Sequence, residues 1–525
     1  MKFSEKIKSV VGIEGNTKEY LKPMIGYNSA NIMIGGAGYP FNLYHAQFLT
    51  FVEGLGTKAA GTISLISGLT DAVTDPVMGV ITDHTHSKYG KHRRYILWAV
   101  LPFAISYIMR WYSFGLSSGG NISSVFGYYL FAGILYSTAM TMANIPHTAM
   151  LPSIAPQYFI RTQFKMVEYV MNSIGQTTSF MFTALALSNF NIKTALVGLP
   201  DPSPADRSKY LMAGIVLVIW FSWPMIYSFF HTSEPSSVNE VFEPVNTRNI
   251  FRDYLSIFRN RSFRQYFVIS LFYSMARGFY NTSDQYFIVS VADKYNLFNL
   301  INIISGVAEA SGSPLNFLLV RYKGKQFCGK LLGPLMVAGL FLNIFVTPST
   351  PSVITTVITL ASAILYNFGF SGPGFVTENI QPDVIDVDEL MTGQNREGMV
   401  STFKSFFSKT INSLMSYIVG ASLEAFGYDP QRKEPKQQTP RTLLGLRINF
   451  VIIPVIFAFL TVFTVYRYKM TKADHEAIKD AIRQKRETGH VEISDEEKCR
   501  IEKIAGHSWE DMWIGQPDTL DVTAK

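Results

Sequence analysis

Residues 68–83 read GLTDAVTDPVMGVITD. The stretch is apolar enough to lie in a hydrocarbon layer, yet it carries two aspartates, Asp71 and Asp75, four positions apart. On a helix that spacing sets both carboxylates on one face. A charged residue at mid-membrane costs about 2.5–3.5 kcal/mol on insertion scales, so an uncompensated pair costs roughly 5–7 kcal/mol. That is comparable with the folding free energy of a whole domain. The pair must therefore turn inward and meet positive charge. Either it holds an exchangeable cation, or it forms a static salt bridge between helices. Na⁺ and Li⁺ suit oxygen ligands, and adjacent carboxylates can instead share a proton.

Working outward, this segment is one of many apolar runs. The chain has 525 residues, of which 48% are hydrophobic and only 16% charged, with a mean hydropathy of +0.15. A soluble domain carries about 25% charged residues. At about 20 apolar residues per crossing, twelve spans are predicted. They lie near 24–51, 59–82, 95–116, 124–150, 166–190, 210–231, 263–291, 297–322, 331–348, 353–378, 399–427 and 446–468. The expected fold class is all-α integral membrane: twelve transmembrane helices in two six-helix pseudo-repeat halves around a central cavity. The first, seventh and tenth spans contain Gly, Asn or Pro and are predicted to be interrupted, as cavity-lining helices can be. The expected organisation is an N-terminal segment (1–23), two halves (24–231 and 263–468), a central loop (232–262) and a tail (469–525).

The formal charge of +7 does not point to nucleic acid, because the basic residues fall in short loops between apolar spans. Lys88, Lys91, Arg93 and Arg94 share one loop. Arg252, Arg259, Arg261 and Arg264 share the central one. Arg321, Lys323, Lys325 and Lys330 are assigned to a third. With Lys2, Lys6 and Lys8 they mark the cytoplasmic side by the positive-inside rule, which puts both termini there. Arg432, Lys433, Lys436 and Arg441 dissent. Met1 to Pro23 is polar and lacks an apolar signal region, so no cleavable leader is expected. Cys328 and Cys499 imply no disulfide. In the tail, His475 to Arg486 has helix-forming composition, and Ser494 with Glu497 forms a potential capping box. The tail reads as a soluble appendage.

An internal repeat supports two related halves. Gly68, Asp71, Ala72, Asp75 and Pro76 in span 2 recur as Gly306, Glu309, Ala310, Ser313 and Pro314 in span 8, at identical spacings. Related halves are how many transporters are built. Lys409 lies about ten residues into span 11, roughly 15 Å deep, too far to snorkel easily. It is the expected internal counter-charge to the aspartates. Arg277 and Asp284 lie two turns apart on span 7, where they line a cavity or tie helices together. Arg110 reads as snorkelling at the end of span 3. Thr141 and Asn144 suit oxygen ligation or interhelix bonding. No phosphate-binding glycine loop, metalloprotease helix or catalytic constellation is present, so neither an enzyme nor an ATP-driven pump is expected.

The segment from Asp71 to Asp83, followed by His84 to Arg94, resembles the glycoside–pentoside–hexuronide:cation symporters of the major facilitator superfamily. Asn144-Ile-Pro146 and the run from Asp383 to Gly398, leading to Lys409 and Gly427-Tyr428, resemble the same family. The resemblance spans roughly residues 20–470. It implies a major facilitator fold with cation ligands at Asp71 and Asp75, joined by Thr74 and Thr141. It implies solute binding or coupling at Lys409, Asn144 and Thr148, to which Arg277 and Asp284 are added as cavity candidates from their place in span 7, and a cytoplasmic gate at Asp83, Arg93 and Arg94. There are departures. Gly35 stands where melibiose permease has an acidic substrate ligand, Asn144 replaces another acid, and Thr148 replaces an aromatic residue. Glu168 falls near an arginine position, and Arg94 replaces a usual proline.

The expected function is import of a small polar solute, such as a sugar, glycoside or uronate, coupled to Na⁺, Li⁺ or H⁺ by alternating access. A lipid or lysolipid carrier and a non-transporting membrane sensor are the alternatives. No cofactor is expected. The expected partners are the solute, a monovalent cation and the lipid bilayer. The setting is the cell membrane and the transport unit a monomer.

Overall fold

The computed structural model describes residues 17–516, apart from 84, 86, 156–157, 199–201, 235–255, 395, 431–436 and 469. Lys2, Lys6, Lys8, Arg252, Arg432, Lys433, Lys436 and most of the predicted central loop lie outside the described residues. The described residues contain helices and turns but no strands. The chain divides into two compact units, Met1–Glu243 and Pro244–Lys525.

In the first unit, the first membrane segment is broken. It comprises α1 (Thr17–Ser29), α2 (Asn31–Gly36) and two π-helical turns (Phe41–His45 and Phe48–Val52). Long helices follow: α3 (Thr57–Asp83), α4 (Arg93–Met109), α5 (Ile122–Ile154), α6 (Tyr158–Leu187) and, after the short α7 (Ile192–Val197), α8 (Arg207–His231). The break has a packing cause. A Cβ on Gly36 would fall 2.8 Å from the Gly175 Cα, and one on Gly35 would fall 2.8 Å from the Asn172 Cα. Small residues thus let α2 and α6 touch backbone to backbone, as membrane helices do in place of hydrophobic association.

The second unit has six more membrane-length segments. They are α9 (Arg261–Ser290), α10 (Phe298–Lys323), α11 (Lys325–Leu342), α12 (Ser352–Thr392), α13 (Glu397–Ala425), and α14 (Pro440–Arg447) continuing through a π turn into α15 (Ile453–Arg467). Among the described residues, six segments are long and apolar enough on their own to cross a membrane: Ile122–Leu151, Pro204–His231, Tyr295–Val320, Lys325–Phe345, Ser352–Thr392 and Pro440–Arg467. Among the rest, α3, α9 and α13 carry Asp71, Asp75, Arg277, Asp284 and Lys409.

Two expectations are corrected here. Spans seven and ten are not broken, since α9 and α12 run without interruption. Their glycines are packing notches: a Cβ on Gly278 would sit 2.9 Å from Met415 Cγ, and one on Gly369 would sit 2.8 Å from the Met336 Cα. The third basic loop is not a loop. Gly324, at φ +88°, turns the chain alone, and Lys323 and Lys325 stand on the flanking helices. The tail, expected as a soluble appendage, packs on the second unit: α16 (Lys472–Thr488), α17 (Asp495–Ala505) and the turns after them bury Ile478, Ile482, Ile501, Met512 and Ile514 in one cluster with Phe263, Val384, Val387 and Leu390 of the membrane helices.

The docking follows from the length of α12. At 41 residues it runs about 60 Å, twice the roughly 30 Å hydrocarbon core, so its last turns leave the lipid. Those turns carry Asp383, Asp386, Asp388 and Glu389. Asp383 meets Lys325 at 2.7 Å, Asp386 meets His475 at 2.7 Å, Asp388 meets Arg396 at 2.6 Å and Glu389 meets Arg486 at 2.8 Å. Both tail helices begin with reciprocal capping boxes, Thr471 with Asp474 and Ser494 with Glu497. Cys328 is buried and Cys499 exposed, both unpaired.

Candidate cation and solute site

The site grows from one ridge of α5. Gly133, Ser137 and Thr141 recur every fourth residue and so share a face. Gly133 abuts Ser67 of α3, and Ser137 Oγ donates to the Ser67 carbonyl at 2.8 Å. One turn further on, the Thr141 hydroxyl lies 2.9 Å from Asp71 Oδ1 and 2.8 Å from Asp75 Oδ1. Thr74 Oγ1 is 3.1 Å from Thr141 Oγ1. A single hydroxyl has one proton to donate, so it cannot satisfy both carboxylates at once. Thr141 is 2% exposed, and both aspartates are half-buried. Pro76 has no N–H, so the Ala72 carbonyl also lacks its helical bond. Two carboxylates and two hydroxyls therefore converge, with a helix carbonyl released beside them. This oxygen set suits a small monovalent cation or a proton. Among the described residues no group of three or more His, Cys, Asp or Glu is placed to hold a metal ion.

The other expected residues fall into separate places. Asn144 is half-buried on α5, and exposed Thr148 donates to its carbonyl at 2.9 Å. Lys409 is half-buried on α13 of the second unit. Arg277 and Asp284 do not pair with each other. Both Nη atoms of Arg277 donate to Glu309 Oε2 at 3.1 Å, while Asp284 is buried farther along α9. Glu309 is the repeat partner of Asp71, and the repeat was the signal from which its importance was legible.

At the expected gate, the Asp83 side chain lies outside the described residues. Arg93 Nε donates to the Phe229 carbonyl at 2.6 Å, and its guanidinium stands 4.6 Å over the Phe229 ring. Arg94 stacks on Tyr95 and Trp98. Sequence reasoning missed Glu234. Its Oε2 accepts the backbone N–H groups of His92 and Arg93 at 3.0 Å, and its Oε1 meets His92 Nδ1 at 2.6 Å. An anion at the first turn of α4 complements the helix dipole. Burial pushes the Glu234 carboxyl up, but the bonds from His92 and the backbone outweigh it and hold the group below its ordinary range. Gly90, at φ +87°, turns the loop against this carboxylate.

One departure from the family pattern gains a physical reason, and one expectation is corrected. Gly35 cannot be an acid, because α6 leaves no room for any side chain there. Arg110 does not snorkel: its guanidinium lies 3.7 Å over Phe41 and 4.7 Å over Tyr136, and its Nη2 meets His45 Nδ1 at 3.2 Å. The π-helical turns of the first segment bring Phe41 and His45 to it. Glu168 stands half-buried on α6.

Two units of six membrane-length segments, with ionisable groups gathered inside their helices, define a multi-pass membrane transporter of the secondary type. A profile of the MFS/sugar transport protein family matches residues 26–472, and the chain belongs to that family. It is 24% identical over 485 residues to the symporter YnaJ of Bacillus subtilis (strain 168), covering 92% of this chain and 96% of that one. It is 24% identical over 449 residues to the isoprimeverose transporter of Lactiplantibacillus pentosus, covering 83% and 86%. Its fold matches the crystal structure of the nucleoside transporter NupG with a TM-score of 0.56, at 14% identity, over 86% of this chain and all of that one. The fold is that of the major facilitator superfamily, and the chain's family and relatives are transporters rather than enzymes.

Proposed function

We propose that the protein is a cation-coupled symporter that imports a small polar solute of the sugar, glycoside or uronate class. The observation that carries this reading is the convergence of Asp71 Oδ1 and Asp75 Oδ1 on the Thr141 hydroxyl, inside a membrane helix. Two carboxylates and a shared hydroxyl at this spacing form an oxygen-rich, negatively charged site that an entering Na⁺, Li⁺ or H⁺ can occupy. Thr74 completes the oxygen set. Asn144 and Thr148 in one unit, and Lys409, Arg277 and Asp284 in the other, are assigned to solute binding and coupling. Asp83, Arg93 and Arg94 are assigned to the cytoplasmic gate. The names of the relatives support a symporter of sugar-like solutes. In this reading the protein works as a monomer in the cell membrane with both termini in the cytoplasm. Cation and solute each raise the affinity for the other, because such coupling is reciprocal. Uptake of labelled sugars, glycosides and uronates into proteoliposomes, with Na⁺, Li⁺ or H⁺ gradients imposed separately, tests it. One gradient is expected to drive accumulation, and equal uptake with and without every gradient refutes coupling.

A further inference from the structure

The acidic site of the second unit is built differently from that of the first. Glu309 occupies the repeat position of Asp71, but its partner is the fixed guanidinium of Arg277. The side chains are 31% and 38% exposed, and both stand near the middle of membrane-length helices. An ionised pair that is open at that depth faces a polar path rather than lipid. Arg277 uses both Nη atoms on a single oxygen, Oε2. Among the described residues, Oε1 of Glu309 and Nε–H of Arg277 are uncommitted. The pair therefore offers one strong acceptor beside one strong donor.

Aromatic rings surround it. Arg277 lies 4.3 Å over Phe370, and Tyr273 stacks on Phe370 with centroids 4.3 Å apart. Tyr366, one turn before Phe370, is fully buried, and its hydroxyl has no hydrogen-bond partner among the described residues. A Cβ on Gly374 would fall 2.5 Å from the Tyr273 hydroxyl, so only a glycine leaves that phenol its place.

We propose that Arg277 and Glu309, standing over Phe370 and Tyr273, form a subsite for the hydroxyl groups of a neutral polyhydroxylated ring. The proposal rests on the symporter reading and narrows its substrate class. A sugar hydroxyl donates to Glu309 Oε1 while accepting from Arg277 Nε–H, and the C–H face of the ring lies against an aromatic face. A carboxylate on the solute is repelled by Glu309. Reaching Arg277 requires displacing Glu309 from its counter-ion, leaving that acid charged and unpaired at mid-membrane. The subsite therefore selects against uronates.

The test uses purified full-length protein at saturating coupling cation. The probes are methyl β-glucopyranoside and methyl β-glucuronide, which differ only in the carboxylate, and affinities are read by ligand-induced thermal shift. The glucoside is expected to bind about tenfold or more tightly than the glucuronide. Glu309→Gln is expected to weaken the glucoside by about tenfold, the loss of one charge-assisted bond, and to close the gap between the probes. Tyr273→Phe, which keeps the ring stack, is expected to weaken the glucoside less and preserve the gap. Retention of the cation-induced shift shows that each variant is folded. The proposal is overturned if the glucuronide binds wild type as well as the glucoside does, if neither probe binds, or if Glu309→Gln leaves the ratio unchanged. Failure of the symporter reading looks different: solute binding then ignores the cation altogether.

Discussion

Removing Arg396 is predicted to destabilise the second unit severely, whereas removing Arg486 is predicted to matter less. Both arginines pair with acids on the protruding end of α12, yet their surroundings differ. Arg396 donates through Nε to Asp388 Oδ2 at 2.7 Å and through Nη2 to Asp388 Oδ1 at 2.6 Å, with a third bond from Nη1 to Ser256. The two side chains are 13% and 2% exposed. In Arg396→Ala the Asp388 charge is left buried without a partner, which costs about 3–5 kcal/mol. For a unit of this size the melting temperature falls by about 6–20 °C. Arg486 is 52% exposed and its partner Glu389 9%, so solvent reaches the pair through the arginine and screens it in part, and Arg486→Ala is expected to lower the melting temperature less than Arg396→Ala does. The assay is intrinsic tryptophan fluorescence during a thermal ramp in detergent. Trp513 packs on Gly393 at the end of α12 and reports undocking of the tail directly. The double variant Asp388→Leu/Arg396→Met removes both charges and is expected to recover most of the loss. If Arg396→Ala melts within about 3 °C of wild type, or if the double variant is no better than the single one, the assignment of a buried-charge penalty is wrong.

Two further outcomes follow from the first unit. Thr141→Val removes the hydroxyl shared by Asp71 and Asp75 and is expected to weaken cation affinity by about tenfold or more, while Thr141→Ser stays near wild type; cation titration of the thermal shift reads both. Glu234 has its folded carboxyl lowered, so its contribution to stability is present above the ordinary carboxylate range and is lost as pH falls through the lowered folded value. Glu234→Gln is expected to lose about 2 kcal/mol at neutral pH and to flatten that acid dependence, as followed by melting temperature from pH 7 to pH 3.

How much of this was legible in the sequence depended on where each residue sits relative to lipid. Hydropathy located the membrane segments because apolar runs of bilayer length have few other uses. It lost α12 after residue 378, where the helix leaves the lipid and becomes acidic without ceasing to be helical. The spacing of Asp71 and Asp75 placed both on one face, and the structure puts Thr141 against that face. The fourfold ridge of Gly133, Ser137 and Thr141 was equally readable but went unused. Arg277 and Asp284 were placed on one helix, lining a cavity or tying helices together, and the bond of Arg277 runs to Glu309 on another helix. Sequence spacing describes one helix and is silent about which neighbour supplies the charge. Arg110 was misjudged for a similar reason, since π-helical turns in the first segment, invisible to hydropathy, carry Phe41 and His45 to it. The docking of the tail, read only as a soluble appendage, was not legible because its apolar residues, such as Ile478 and Ile482, are too sparse to stand out until the cluster they join is known.

The central claim is that the Asp71–Asp75 pair takes up the ion that drives transport, and Asp75→Asn in proteoliposomes tests it most directly. The account predicts that solute accumulation under an imposed cation gradient is abolished, while exchange of labelled for unlabelled solute down its own gradient persists. Uphill accumulation by Asp75→Asn at the wild-type level would contradict it.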